Sequence, residues 1–138
     1  MLKHNIDIIS IDDEEYPSLL KEIDNPPICI YIIGRKDILN EINIAIVGSR
    51  DATEYGKYVA KEFAYRLSSN GFNVVSGLAR GIDSFAHIGA INAKGNTIAV
   101  LGNGLDTIFP KENTRLAEEI INMEGCIISE HPLGTRTK

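Results

Sequence analysis

Glycine, a hydroxyl residue and a cation recur together at several points of this 138-residue chain. Gly48-Ser49-Arg50 comes first, then Ser76-Gly77-Leu78-Ala79-Arg80-Gly81, then Gly102-Asn103-Gly104, with Lys111 and Asn113 a few residues on. Glycine after a strand accepts positive φ and lets backbone N–H groups approach a ligand. A helix that starts just beyond adds unpaired amides and partial positive charge. Arg50 and Arg80 add guanidinium forks suited to phosphate oxygens, and Lys111 adds a third cation. The chemistry this composition serves is binding of a phosphate-type anion. The residues leave open whether that anion belongs to a nucleic acid, a nucleotide or a sugar phosphate.

Two other chemistries are weaker on inspection. Gly102-Asn103-Gly104-Leu105-Asp106-Thr107 begins like the dinucleotide fingerprint, but Thr107 replaces the third glycine and Pro110 falls where the helix interior belongs. No dinucleotide or other cofactor is expected. Ser76, Asp83 and His87 have the types of a hydrolytic triad, yet Asp83 and His87 are i,i+4 on one helix, so a contact between them would be local and structural. No catalytic residue is assigned. Three scattered histidines and two cysteines outside any CxxC pair give no metal site.

The elements that must position these loops follow from periodicity. Apolar runs predict strands over 28–33, 43–47, 72–75, 97–101 and 126–128. Residues 16–23 predict a short helix stopped by Asp24-Asn25-Pro26-Pro27. Val59, Ala60, Phe63, Ala64 and Leu67 mark a longer helix closed by Asn70-Gly71. Ile82, Phe85, Ala86, Gly89, Ala90 and Ala93 mark the next, whose small residues favour close approach to the sheet. Leu116, Ala117, Ile120 and Ile121 mark the last, with Asn113 at its N-cap. Alternating strands and helices with wholly apolar strands predict an α/β fold, a parallel sheet with helices on both faces. Right-handed crossovers gather the strand ends, and hence the glycine loops, on one rim.

Bulk properties narrow the setting. The net charge of −5 and a pI near 5.2 exclude a protein coated in positive potential, though not a cationic pocket in an acidic shell. One domain over 1–138 is expected, with an extension over 1–36 and a core over 43–130. No apolar run spans a bilayer and no signal peptide is read, so the expectation is a cytoplasmic protein with reduced Cys29 and Cys126.

Read together, the loops resemble the DprA/Smf DNA-processing family. The similarity is carried by YPSLL with DNPP and YIIG at 16–34, IAIVGSR at 44–50 and VVSGLARGIDSFAHIGA at 74–90. It continues through GNTIAVLGNGLDTIFPKEN at 95–113 and GCIISEHPLG at 125–134. The resemblance implies an extended Rossmann fold holding single-stranded DNA in a basic rim pocket. It also implies DNA processing in natural transformation or recombination, loading of a RecA-type recombinase, a homodimer and no enzymatic activity. Family DNA contacts centre on the positions of Arg50 and Lys111; Gly48, Ser49, Arg80 and Asn113 fall in matching motifs. Phe109 stands where the family usually has tyrosine.

The main departure is at the end. The family continues into an FPxRNR-like segment that supplies further sheet, another arginine and the assembly surface, whereas this sequence runs out at Thr135-Arg136-Thr137-Lys138. A strand missing beside 126–128 is expected to leave a sticky sheet edge and to favour self-association. Two alternative functions share the same rim. One is a nucleotide-binding domain. The other is a phosphoribohydrolase acting on nucleoside monophosphates, although the PGGxGTxxE motif of that group has no counterpart here.

Overall fold

The computed structural model describes residues 4–136, so the last two positions of the run 135–138 lie outside the described residues. A six-stranded sheet is built from β1 (Asp7–Ser10), β2 (Cys29–Gly34), β3 (Asn43–Ala45), β4 (Asn73–Ser76), β5 (Thr97–Leu101) and β6 (Cys126–Ser129), in the order β1-β2-β6-β5-β4-β3. Strands β3 to β6 are parallel, as the alternating pattern predicts. The β1–β2 hairpin joins them antiparallel, with Ile32 opposite Ile128 and Gly34 opposite Cys126. Strand β6 is therefore flanked on both sides, which corrects the expectation of an open edge there. The edges among the described residues are β1 and β3.

Helices α2 (Glu54–Ser69), α3 (Ile82–Asn92) and α4 (Thr114–Asn122) connect β3 to β4, β4 to β5 and β5 to β6. Each crossover steps to the next strand in the same direction, so right-handed connections put all three helices on one face. The opposite face has the short helix α1 (Ser18–Lys21) and a 3₁₀ turn over Asp37–Asn40. Alternation along the strands divides the core accordingly. Ala99, Leu101 and Ile127 pack with Leu116, Ala117 and Ile120 of α4, while Ile98 and Cys126 pack with Tyr16, Ile38 and Leu39. The second layer is the smaller: Val100, on a central strand, keeps 43% of its surface exposed.

Local chemistry explains the helix ends. The Thr53 hydroxyl accepts from Gly56 N–H at 3.0 Å and starts α2, and Asn70 caps its far end. A Cβ on Gly89 of α3 would run into Lys61 O and lie 2.9 Å from the Ala64 methyl of α2. The small residues of α3 thus seat it against α2 as well as the sheet, with Ala64, Val74, Ala86 and Ala90 in one cluster. The expected helix over 16–23 is helical only from Ser18 to Lys21. Tyr16 leaves it to become core, 1% exposed, its hydroxyl donating to Pro27 O at 2.7 Å. No described helix is long and apolar enough to cross a membrane.

Candidate functional site

The loops after β3, β4 and β5 lie on the rim made by the parallel strands' C-terminal ends, and two glycines let the first two touch. A Cβ on Gly48 would lie 2.7 Å from Ile82 Cγ1, so glycine there allows the first loop to rest on the start of α3. Gly81, at φ +77°, carries no Cβ where one would strike Ser49 O and come within 2.6 Å of Arg50 O. Ile82 N–H donates to Ser49 O at 3.2 Å across the same junction. Ser76 is not a rim residue: it is 2% exposed, and its hydroxyl donates to Ile46 O at 2.6 Å, tying β4 to the first loop from beneath.

The second loop is fixed by its own helix. Gly77 N–H donates to Asp83 Oδ2 at 3.1 Å, and the Ser84 hydroxyl donates to Ala79 O at 2.6 Å. Leu78, fully buried at φ +60°, gives its N–H to His87 Nε2 at 3.3 Å. The other ring nitrogen of His87 lies 2.8 Å from Thr97 Oγ1, whose own proton goes to Val74 O at 2.7 Å. Thr97 therefore accepts from Nδ1–H, which fixes a neutral imidazole with Nε2 as acceptor. Burial alone pushes the His87 pKa down to about 3. Both ring nitrogens are satisfied. Ser76, Asp83 and His87 thus bond to separate partners and not to one another, and there is no triad among them. Asp83 Oδ1 is buried without a hydrogen-bond partner.

Asn113 precedes α4 as predicted, but its side chain does not cap that helix. Its Nδ2 donates to Leu78 O at 2.8 Å and to Ser84 Oγ at 2.9 Å, so it clamps the third loop to the second. Ser129 does the same for the fourth: its hydroxyl donates to Asn103 O at 2.7 Å. Gly104 passes under the tail, its N–H donating to Thr135 O at 2.9 Å.

Between these anchored loops lies a pocket of about 190 Å³. The first loop contributes Arg50, the second Gly77, Ala79 and Arg80, and the third Leu101, Gly102 and Asn103 with Phe109 and Pro110. Arg50 thus faces the same hollow as the β4–α3 turn. A wider cleft of about 600 Å³ adjoins it, lined by Lys111 and Arg136 among others. Of the predicted residues, Arg50, Gly77, Arg80 and Gly102 share the first pocket and Lys111 lies in the second. Gly48, Ser49, Ser76, Gly81, Gly104 and Asn113 line neither and act as spacers or ties. The expected backing of glycine amides needs correction, because the N–H groups of Gly77 and Gly104 already have acceptors. These two glycines offer close approach rather than donors. Phe109 and Arg136 were not among the predicted site residues; an aromatic between apolar Ile108 and Pro110 was the available signal for Phe109.

Among the described residues no three His, Cys, Asp or Glu side chains gather in a way that could hold a metal ion. Cys126 is buried, and burial raises its thiol pKa to about 12; neither cysteine is in a disulfide.

Comparison with known proteins bears on the family and the fold. Residues 7–138 match the family described as DNA recombination-mediator protein A. Protein Smf of Synechocystis sp. is 42% identical over 136 residues, covering 96% of this chain and 34% of that protein. The crystal structure of DNA processing protein A from Streptococcus pneumoniae superposes with a TM-score of 0.84 at 35% identity, covering 97% of this chain and 46% of that one. A structure of the Helicobacter pylori DNA processing protein A, described as giving insights into that protein's single-stranded DNA binding mode, superposes with a TM-score of 0.86. It is 28% identical over 99% of this chain and 60% of that one. The chain spans about a third of the curated Synechocystis relative it matches.

Proposed function

This chain belongs to the DNA recombination-mediator protein A family, and from that premise we propose that its strand-end rim binds single-stranded DNA through the phosphates, without catalysing a reaction on them. The observation that carries the proposal is the shared pocket of Arg50 and Arg80, with Lys111 in the adjoining cleft. Two guanidinium groups beside a glycine-floored hollow suit a flexible phosphodiester chain better than a rigid duplex, because a single strand can lead one phosphate in and the next out. The Helicobacter pylori relative's described binding of single-stranded DNA supports the same choice of ligand.

The wider role forms part of the proposal. A recombination mediator holds single strands for a RecA-type recombinase, in recombination or in natural transformation, and protects them meanwhile. Loading of that recombinase is proposed on the strength of the family description, and assembly into a homodimer from the resemblance of the motifs alone. A cytoplasmic setting is proposed with them, supported by the unpaired state of Cys29 and Cys126. The non-catalytic reading is supported by the separate structural partners of Ser76, Asp83 and His87.

Fluorescence anisotropy with labelled oligo-dT, in single-stranded and duplex form, tests the reading across a salt titration. Three neutralised phosphates correspond to a slope of log K against log [salt] of about −2 for single strands. The expected result is preference for the single strand and at least a tenfold loss with Arg50→Ala. Equal affinity for both forms, or an indifferent Arg50, overturns the proposal. Release of free base from AMP or CMP would instead favour the phosphoribohydrolase chemistry.

A further inference from the structure

We propose that Phe109 is a stacking wedge between two successive nucleotides, one base entering the Arg50–Arg80 pocket and the next the Lys111–Arg136 cleft. This rests on the single-stranded-DNA reading above and adds a binding element that the motif comparison leaves unassigned.

Phe109 lines both hollows, and so does Asn103; every other lining residue belongs to one side only. The ring is thus part of the partition. It is also held outward. Ile108 is 3% exposed and Pro110 is buried, yet Phe109 between them keeps 49% of its surface in solvent. Both flanking residues are pinned in the protein, so the ring can enter the core only by pulling one of them out.

Charge is distributed to match. Arg50 and Arg80 flank one side of the partition, and Lys111 and Arg136 the other. A strand whose backbone runs from the first pair of cations to the second must pass Phe109, with bases free to lie against its faces. A hollow of about 190 Å³ is of the size of a single nucleotide's base and sugar rather than of a stack. Every base has a π-face, so stacking on phenylalanine tolerates any sequence. Such a wedge gives grip without base readout, which is what a protein handling arbitrary single strands requires. Arginine contacts alone, in contrast, grip any polyanion.

The test compares oligo-dT with an abasic strand of the same length, which keeps the phosphates and removes the bases. Wild type, Phe109→Ala, Phe109→Leu and Phe109→Tyr are each titrated by anisotropy, with thermal melts to establish that all four are folded. The expected result is that Phe109→Ala and Phe109→Leu bind oligo-dT at least fivefold more weakly, while Phe109→Tyr stays within twofold of wild type. On the abasic strand all four agree within twofold, and the salt slope is unchanged throughout. Retention of full oligo-dT affinity by Phe109→Leu or Phe109→Ala overturns the wedge, as does an equal loss on both strands. Failure of wild type to bind oligo-dT removes the single-strand reading itself, a result distinct from an indifferent Phe109.

Discussion

Arg80, which lines the pocket with Arg50, meets Glu112, 32 positions on in sequence, at 2.8 Å (Nε to Oε1). Both side chains are 60% exposed, so the pair is screened and contributes at most about 1 kcal/mol. Glu112 therefore holds Arg80 in place in the free protein but competes with any phosphate that arrives. Glu112→Gln should tighten oligo-dT binding by up to about fivefold at low salt, with the gain fading as salt rises. Anisotropy at two salt concentrations measures this. An unchanged or weakened affinity would mean that Glu112 orients Arg80 rather than opposing its ligand.

Gly81 governs the junction of the first two loops. Alanine there would need positive φ and would push its methyl into Ser49 O and Arg50 O. The first loop must then retreat, carrying Arg50 with it. Gly81→Ala should cost about 1–3 kcal/mol of stability and weaken DNA binding at least as much as Arg50→Ala. Chemical denaturation and anisotropy on the same preparation check the two effects. A stable variant with wild-type affinity would show that the close approach is incidental.

His87 makes stability depend on pH in a calculable direction. Its folded pKa of about 3 lies below the ordinary histidine value, because burial disfavours the imidazolium. Between about pH 6.5 and 3 the unfolded chain binds a proton there that the folded chain refuses. The stability is fully present above that window and is lost as pH falls through it, at about 1.4 kcal/mol per pH unit from this one group. His87→Gln should be less stable at pH 7, having lost the Leu78 and Thr97 bonds, yet lose less on going from pH 7 to pH 5 than wild type does. Urea melts at the two pH values give the comparison. Parallel losses in both proteins would refute the assignment.

The local features were legible in the sequence because local chemistry causes them. Strand β5, the Thr97–Leu101 run, stands where its apolar pattern puts it, and Asn70-Gly71 ends α2 as a polar stop should. Gly48 and Gly81 could be read as turn makers. That their turns meet each other follows only from the crossovers. Other features of the fold depend on distant partners. The antiparallel docking of β2 on β6 is decided by which edge a hairpin finds, and no residue of 29–34 encodes it alone. Continuous apolar strands implied cover on both faces. A strand order that steps one way sends the long helices to a single face, leaving Val100 half open. Asn113 looked like a cap because caps are local; its bonds to Leu78 and Ser84 are not. Nothing in the neighbours of Glu112 tells that it meets Arg80, and Phe109 had only its place between apolar Ile108 and Pro110 to mark it.

Lys111 and Arg50 line separate hollows, and this makes their contributions separable. If each neutralises one phosphate, Lys111→Ala should reduce the salt slope by about 0.7, Arg50→Ala by about 0.7, and the double variant by about 1.4. Neither side chain pairs with an acid in the free protein among the described residues, so neither substitution strands a partner charge, and losses in log K should add within experimental error. Anisotropy titrations of the four proteins over one salt series form the complete cycle. A double variant no weaker than Arg50→Ala would place both cations on the same phosphate, and the two hollows would then be one site rather than consecutive ones.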